Sequence, residues 1–304
     1  MDFFRKRATP VENMTLIAIA AGIDGLLALV SALLPLGALF LLFAIPLFSA
    51  LVAIYCKKAY YPLYVLVALG VSLAASAWDL ANTIFYLFPS LLTGGLYGIL
   101  IDKKVPSSFL IFFTSCLQFV LFIATFFLIK AIYGVDMEAL LLRLVNKPNE
   151  EPARIILPLF GYAYALSQVA LVHFFAVASL SRLGIQVAPE RNRLPMYSFL
   201  SIAFLISAFI LAFFFPAACY VLLGMGVYWA ILSFYRLFLS PRAAVWIAFG
   251  FLCFLALLCF AAFYGKMPRY SGLSLCLLLF LAPPFSEILH FLLLRKGASD
   301  PRIK

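Results

Sequence analysis

The residues of this sequence with the greatest potential for chemistry are the few charged and polar side chains that interrupt its apolar runs. Asp24 is the deepest of them, near the middle of the run Met14–Leu34. An ionised carboxylate at the centre of a membrane helix costs about 2.5–3.5 kcal/mol on insertion scales. We therefore predict that Asp24 faces other helices, hydrogen-bonds a polar partner and takes part in binding a substrate.

A second group of polar and aromatic residues lies at one predicted membrane surface, where apolar runs end. Its members are Trp78, Asp79, Asn82, Lys130 and Tyr133. Side chains at this level would line a pocket open to the outside, so the group is predicted to bind substrate together with Asp24. For Lys130 the alternative is that its ammonium group snorkels to the membrane interface.

Three further polar residues lie in the second half of the chain. Glu287 and His290 are three residues apart, so they share one helix face just after Pro283-Pro284. We predict that they form either a proton-relay element or a satisfied contact between helices. His173 stands alone in its run, and we expect a hydrogen-bonded core residue there instead of a ligand.

Signatures of catalysis and of metal binding are absent from the sequence. It has no GxxxxGK[ST] or GxGxxG loop, no HExxH motif and no paired acidic motif of the kind that holds Mg²⁺. The six cysteines include no CxxC pair and fall within or at the ends of apolar runs, which argues against disulfides and zinc sites. We therefore predict a protein that is not an enzyme and has no cofactor or metal.

The elements that carry these residues are predicted to be membrane-spanning helices. Hydrophobic residues make up 66% of the 304 residues and charged residues 11%, whereas soluble domains have about 25% charged residues. A helix of about 20 apolar residues crosses a bilayer, and barrel strands would alternate instead. Ten runs qualify: Met14–Leu34, Ala38–Cys56, Tyr60–Trp78, Leu80–Ile101, Ser107–Tyr133, Ile155–Leu180, Tyr197–Phe215, Ala217–Phe238, Ala243–Tyr264 and Ser271–Leu294.

Prolines interrupt two of these runs. Pro46 and the pair Pro283-Pro284 lack the N–H that a helix interior needs, so they are predicted to kink or break the second and tenth runs. The predicted fold is thus an all-α, polytopic transmembrane helical bundle of about ten spans, with a range of eight to ten, in a single membrane domain over residues 1–304.

The lysines and arginines are distributed unevenly between the two ends of the runs. Sixteen of the 22 fall on the side that holds the N-terminus, and six fall on the other side. The positive-inside rule assigns the richer side to the cytoplasm, so both termini are predicted to be cytoplasmic. Because the basic residues form short clusters between apolar runs, the net charge of +10 indicates topology and not nucleic-acid binding.

The longest polar segment divides the chain into two halves with five runs each. Residues 134–154 are predicted to form an extracytoplasmic loop between an N-terminal half, residues 1–133, and a C-terminal half, residues 155–304. Within the loop, Met137, Leu140, Leu141, Leu144 and Val145 have helical spacing. This spacing indicates either an amphipathic helix on the outer leaflet or an ordinary connecting helix.

Pairs of small residues four positions apart occur in the first and fourth runs. They are Ala18 and Gly22, Ala21 and Gly25, and Gly94 and Gly98. This spacing lets helix backbones approach closely. The alternatives are packing within this chain and a docking face for a partner membrane protein.

Three segments combine prolines, glycines and basic residues in a characteristic order. The first, Pro35–Lys104, holds Pro46, Pro89, Gly94-Gly95 and Gly98 and ends in Asp102-Lys103-Lys104. The second joins Ser181-Arg182-Leu183-Gly184 to Arg193-Leu194-Pro195, and the third is a final hairpin that ends in Leu294-Arg295-Lys296.

Together these segments resemble the YybS-like family of bacterial membrane proteins, which is similar to the substrate-binding S components of energy-coupling-factor vitamin transporters. The chain departs from the family at Asn192, where Trp is typical, and at Pro284 and Glu287, where Gly and Asp are typical. The resemblance implies a pocket among the early helices that opens to the outside. It also implies a transmembrane coupling subunit with separate ATPases that supply the energy.

The same resemblance gives the small residues of the first run a role. In the S components an Ala-xxx-Ala motif on the first helix contacts the coupling subunit, and Ala18/Gly22 and Ala21/Gly25 are the matching positions here. The sequence thus favours a non-enzymatic solute-binding or transport subunit in the bacterial cytoplasmic membrane. The alternative is a membrane scaffold that assembles envelope proteins without a small-molecule substrate. The expected partners are the lipid bilayer and either a coupling subunit or other membrane proteins.

Overall fold

Every regular element in the described part of the computed structural model is helical. The structure describes residues 6–34, 37–144, 151–182, 184–185, 187–188, 196–238, 243–263 and 279–298. The prediction of an all-α fold is therefore confirmed.

We number the helices in chain order. They are α1 (Pro10–Leu33), α2 (Ala38–Tyr55), α3 (Tyr61–Ala75), α4 (Leu80–Asp102), α5 (Ser107–Tyr133), α6 (Met137–Leu144), α7 (Glu151–Arg182), α8 (Met196–Leu211), α9 (Pro216–Phe238), α10 (Ala243–Phe263) and α11 (Ala282–Ala298). In the described ranges, seven helices are long and apolar enough to cross a membrane, namely α1, α3 with the 3₁₀ turn before it, α4, α5, α7, α9 and α10. Shorter apolar segments lie in α2, α8 and α11. Ten of these helices overlap the ten predicted runs, and the number of spans stays a prediction.

The first helix begins at a sequence signal for helix initiation. The Thr9 hydroxyl accepts a hydrogen bond from the backbone N–H of Glu12, and the Glu12 carboxylate accepts one from the backbone N–H of Thr9. Pro10 occupies the first helical position, where its missing N–H costs nothing. This reciprocal capping fixes the residue at which α1 starts and therefore how far along the helix Asp24 lies.

The prolines have different effects on the helices that contain them. Pro283 and Pro284 lie in the first turn of α11, so the predicted interruption of the tenth run coincides with a helix start. Pro46 lies inside α2, which continues through it as one helix. Gly134 ends α5 in the left-handed region, with φ +67°, and its N–H donates to the carbonyl of Lys130.

The chain folds as two compact units, which we describe separately. Unit 1 consists of Met1–Pro148 and Gly161–Arg191, and unit 2 consists of Asn149–Phe160 and Asn192–Lys304. The sequence-based halves were placed on either side of residues 134–154, and their separate roles stay a prediction. Within the predicted loop, the residues with helical spacing correspond to α6 (Met137–Leu144).

Unit 1 is held together by close helix crossings. A Cβ added to Gly94 would lie 2.5 Å from both the carbonyl oxygen of Pro46 and the Cβ of Ser49, and one added to Gly98 would lie 2.5 Å from the carbonyl oxygen of Ala50. The absence of side chains at these two glycines lets α4 lie directly on the backbone of α2.

One end of unit 1 gathers basic residues from three chain segments. Lys6 forms an ion pair with Asp102 at 2.6 Å, and Lys58 lies 4.0 Å from the same carboxylate. The backbone N–H of Lys57 donates to the Asn13 side chain at 2.9 Å, which joins the start of α3 to the start of α1. Lys103 follows α4 directly and is exposed. This end of unit 1 is therefore strongly positive.

Unit 2 has a core built from α8 and α9. Leu205 and Ala208 of α8 pack with Tyr220 and Leu223 of α9 in one buried cluster. A Cβ added to Gly226 would lie 2.8 Å from the side chain of Leu205, so this crossing sets a glycine against a side chain.

Candidate functional site

The prediction that Asp24 faces other helices and bonds a polar partner is confirmed. Asp24 is fully buried in unit 1, and its Oδ2 accepts a hydrogen bond of 2.6 Å from the phenol of Tyr64 on α3. The α1 register that buries Asp24 also buries Ala20, Ala21 and Ala28, whose small side chains allow α2 and α3 to approach.

A second hydroxyl extends the Asp24 contact. Ser49 of α2 lies 3.1 Å from the Tyr64 oxygen, and both residues are fully buried. A phenol has one proton, which Tyr64 gives to Asp24, so Ser49 must donate its own proton to Tyr64. Asp24, Tyr64 and Ser49 therefore form one directed chain of hydrogen bonds across three helices, which we call the Asp24 cluster.

The neighbouring tyrosine holds this arrangement in place. The hydroxyl of Tyr61 donates to the backbone carbonyl of Leu91 on α4, and its ring lies where a Cβ of Gly95 would be. The rings of Tyr61 and Tyr64 are in contact, with centroids 5.5 Å apart. Gly95 thus makes room for Tyr61, which in turn positions Tyr64 against Asp24.

The surroundings of Asp24 do not neutralise a negative charge. Among the described residues, no lysine, arginine or histidine forms an ion pair with Asp24. Its Oδ1 is buried and has no hydrogen-bond partner in the part of the chain that the structure describes. The walls are apolar, with Ile45 of α2 and Leu87 and Leu91 of α4 in the same buried cluster. Such a carboxyl can hold a proton or accept a further donor on Oδ1.

The predicted outer group lies at the ends of α3, α4 and α5 in unit 1. The Trp78 side chain is 62% exposed, and Asp79 precedes α4, where its carbonyl accepts the N–H of Thr83. Asn82 lies in the first turn of α4, but its side chain is outside the described residues. Tyr133, in the last turn of α5, is 40% exposed. Substrate binding by these residues stays a prediction.

Lys130 forms an ion pair with a residue outside the predicted outer group. Its ammonium group forms an ion pair of 2.7 Å with Asp136, just beyond α5, and both side chains are largely exposed. The ion pair, together with the N–H of Ala139, lowers the pKa of Asp136 below its usual range. The exposed ion pair fits the snorkelling alternative, and substrate binding by Lys130 stays a prediction.

The pairs of small residues divide into two kinds. Ala21 and Gly25 are buried, and a Cβ added to Gly25 would lie 2.6 Å from the Val71 side chain of α3. With Gly94 and Gly98, these residues serve packing inside unit 1. Ala18 and Gly22 lie on the exposed face of α1, and a Cβ on Gly22 would meet nothing within 4 Å.

Unit 2 contains a buried acid of its own. Glu287 of α11 is 1% exposed and accepts a short hydrogen bond from the hydroxyl of Ser198 on α8. The hydroxyl of Ser233 on α9 lies 3.2 Å from that of Ser198. His290 lies one turn later on α11 and is partly buried. The contact of Glu287 with α8 fits the interhelical alternative, while the proton-relay alternative stays untested.

His173 is hydrogen-bonded, as the sequence predicted. Its Nδ1 lies 2.9 Å from the hydroxyl of Tyr97 on α4, within unit 1. The residues that the sequence analysis missed are the hydroxyl partners Tyr64, Ser49 and Ser198. They carried no signal, because serine and tyrosine are frequent throughout the apolar runs. The depth of Asp24 predicted that a partner exists without indicating which one.

The described residues contain no group of three or more His, Cys, Asp or Glu side chains that could hold a metal ion. The Asp24 cluster consists of a carboxyl and two hydroxyl groups, which can exchange protons and form hydrogen bonds with a polar ligand. Comparisons of the chain with family models, with curated proteins and with solved structures find no match.

Proposed function

We propose that the chain is a non-enzymatic solute-binding or transport subunit in the bacterial cytoplasmic membrane. The observation that carries this proposal is the Asp24 cluster, a carboxyl group buried inside a span-length apolar helix without an ion-pair partner among the described residues. Ionisable groups at such depth are costly and are typically retained for ion or substrate pathways. The resemblance to energy-coupling-factor S components supports a solute as the ligand.

We further propose ten spans with both termini in the cytoplasm. The positive end of unit 1, where Lys6, Lys57, Lys58 and Lys103 gather, supports this orientation by the positive-inside rule. An impermeant thiol reagent applied from outside should modify a cysteine introduced by Asn149→Cys and spare one introduced by Asn192→Cys. The reverse pattern would overturn the orientation.

The exposed face of α1 is the proposed contact with a coupling subunit. Ala18 and Gly22 leave a shallow surface there, which suits close approach of another helix. Separate ATPases would supply the energy, since the sequence has no phosphate-binding loop of its own.

A ligand screen tests the transport proposal. The purified protein is examined for a co-purified metabolite and for thermal stabilisation by a panel of vitamins and metabolites. A stabilising ligand should lose its effect in Asp24→Leu, because Leu has no hydrogen-bonding atom in its side chain. Retention of ligand stabilisation in Asp24→Leu would exclude Asp24 from the binding site.

A second candidate is a scaffold that positions other envelope proteins. The observation in its favour is that the space around Asp24 is filled by the chain's own side chains, with Tyr64 and Ser49 fully buried against it. A screen without any stabilising ligand, combined with co-purification of specific membrane proteins, favours the scaffold. Loss of that co-purification in Gly22→Leu would locate the contact on α1.

A further inference from the structure

The interior of unit 1 holds a set of buried polar side chains around Pro46. Proline has no N–H, so the backbone carbonyl of Leu42, four residues earlier, lacks its usual donor within α2. The side chain of Gln168 on α7 donates to this carbonyl at 3.1 Å. Gln118 on α5 in turn donates to the Gln168 side-chain oxygen at 2.8 Å. Gln168, held in turn by Gln118, thus supplies the donor that Pro46 cannot provide within α2.

A small cavity of about 10 Å³ lies beside Pro46. It is lined by Pro46 of α2, Thr93 and Tyr97 of α4, Thr114 of α5 and Gln168 of α7, together with two valines. A space of roughly 10–15 Å³ is what one buried water needs, provided that two to four polar groups surround it. The cavity offers four polar side chains and room for one water molecule.

The hydroxyl of Thr114 has no hydrogen-bond partner in the described part of the chain, although the residue is only 2% exposed. Other hydroxyl residues of α5 behave differently. Thr125 donates to the carbonyl of Leu121 at 2.8 Å, and Ser115 donates to the carbonyl of Ile111 at 2.7 Å. The Thr114 hydroxyl could also donate to the backbone carbonyl four residues earlier, but it does not. It is therefore available to a partner in the cavity.

We propose that this cavity is a binding site for one water molecule, held by the Thr114 hydroxyl and by the polar groups of Tyr97, Thr93 and Gln168. The phenol of Tyr97 already bonds Nδ1 of His173 at 2.9 Å, and a phenol oxygen has capacity for a further bond. The water joins the Tyr97–His173 pair to the glutamine pair. One hydrogen-bonded network then links α2, α4, α5 and α7.

The experiment combines radiolytic hydroxyl labelling with thermal unfolding of the purified full-length chain. Radicals formed from a bound water oxidise the side chains next to it even where bulk solvent has no access. Tyr97 is 1% exposed, and Tyr197, which is 2% exposed and does not line this cavity, serves as the reference. The variants are Thr114→Val, which keeps the side-chain shape, and Thr125→Val, its matched control on the same helix.

The expected result is several-fold stronger labelling of Tyr97 than of Tyr197 in the wild-type chain. Thr114→Val should reduce the labelling of Tyr97 to that of Tyr197 and lower the unfolding midpoint, whereas Thr125→Val should leave the labelling unchanged. Equal labelling of the two tyrosines in the wild-type chain overturns the proposal, whatever the variants do. So does strong Tyr97 labelling that survives Thr114→Val, since the water would then be held by other groups. In a dry cavity, Thr114→Val would raise the midpoint by removing an unsatisfied hydroxyl.

Discussion

In the part of the chain that the structure describes, units 1 and 2 each bury one carboxylic acid, at different places along a helix. Asp24 lies fourteen residues after the start of α1, whereas Glu287 lies five residues after the start of α11. Each accepts a hydrogen bond from a hydroxyl on another helix, Tyr64 for Asp24 and Ser198 for Glu287. The chemical partner is therefore similar, and the backbone environment differs.

The position of an acid along its helix decides how far the backbone can stabilise its charge. Unpaired N–H groups and the helix dipole favour a negative charge near a helix N-terminus, and the effect falls off within the first turn or so. Glu287, in the second turn of α11, lies just beyond that range, and Asp24, in the fifth turn of α1, lies far beyond it. Among the described groups, the only hydrogen bond to the Asp24 carboxyl comes from Tyr64, whose hydroxyl is in turn bonded to Ser49. We therefore assign the proposed function to unit 1.

The helix crossings within the two units differ as well, and substitutions at these crossings should change the free energy of unfolding most. In Gly94→Ala the new methyl meets the backbone of α2 at Pro46, which cannot move aside, whereas in Gly226→Ala it meets the flexible Leu205 side chain. We expect Gly94→Ala to lower the free energy of unfolding by about 3 kcal/mol and Gly226→Ala by about 1 kcal/mol. Thermal unfolding of the purified variants measures both.

The matched control for these variants is Gly22→Ala, since a Cβ there would meet nothing within 4 Å. It should gain roughly 0.5–1 kcal/mol from the higher helix propensity of alanine. Equal losses in Gly94→Ala and Gly226→Ala would contradict the distinction between a backbone crossing and a side-chain crossing.

The second prediction concerns Asp24 itself. Asp24→Leu removes the acceptor of the Tyr64 hydroxyl inside an apolar region, and we expect it to cost about 1–3 kcal/mol. Asp24→Asn keeps an acceptor oxygen and the shape, so it should stay within about 1 kcal/mol of the wild type. Unfolding midpoints that are the same for both variants would mean that the hydrogen bond contributes nothing. If Asn but not Leu is tolerated, a neutral hydrogen-bonding role is favoured over a charged one.

The third prediction applies the same isosteric change to unit 2. Glu287→Gln keeps an acceptor oxygen for the Ser198 hydroxyl, as Asp24→Asn does for Tyr64. We expect it to change the free energy of unfolding by less than about 1 kcal/mol, measured by thermal unfolding beside Asp24→Asn. A clearly larger loss in Glu287→Gln would show that the two acids differ in more than the residue that supplies the hydroxyl.

The smallest effect is expected at the exposed ion pair of unit 1. Because the pKa of Asp136 is lowered in the folded chain, the Lys130–Asp136 pair stabilises the fold above the usual aspartate pKa of about 4. This contribution is lost as the pH falls through the lowered pKa. Asp136→Asn should therefore reduce the unfolding midpoint slightly at neutral pH and not at all at about pH 2. A difference that persists in acid would show that the ion pair is not its cause.

The sequence predicted the helices well, because an apolar run between charges marks a helix with few alternatives. For α5 the predicted and observed ends coincide at Ser107 and Tyr133. The burial of Asp24 was also predictable, since the cost of exposing a carboxylate to lipid leaves few other solutions. The identity of its partner was not, because Tyr64 and Ser49 reach it only through the register of helix crossings that Gly94 and Gly25 set.

Other parts of the site depended on similarly long-range information. The sequence grouped Lys130 with Trp78 and Asp79 by their common depth and did not predict the ion pair of Lys130 with Asp136. Pro46 predicted a kink or break in its run, but not that Gln168 of α7 would donate to the Leu42 carbonyl. A sequence shows how far along a helix a residue lies. Which neighbouring helix its side chain contacts depends on the rotation of each helix about its own axis, which only the packed structure shows.

The bond between Leu42 and Gln168 also has a consequence for biosynthesis. The two residues are 126 positions apart, so the ribosome needs roughly 6–25 s at 5–20 residues per second to supply the donor after the acceptor has been made. During that interval the Leu42 carbonyl, in the second turn of α2, lacks the donor that it has in the folded chain. The hydrogen bonding of α2 is therefore complete only after α7 has been synthesised and has packed against it.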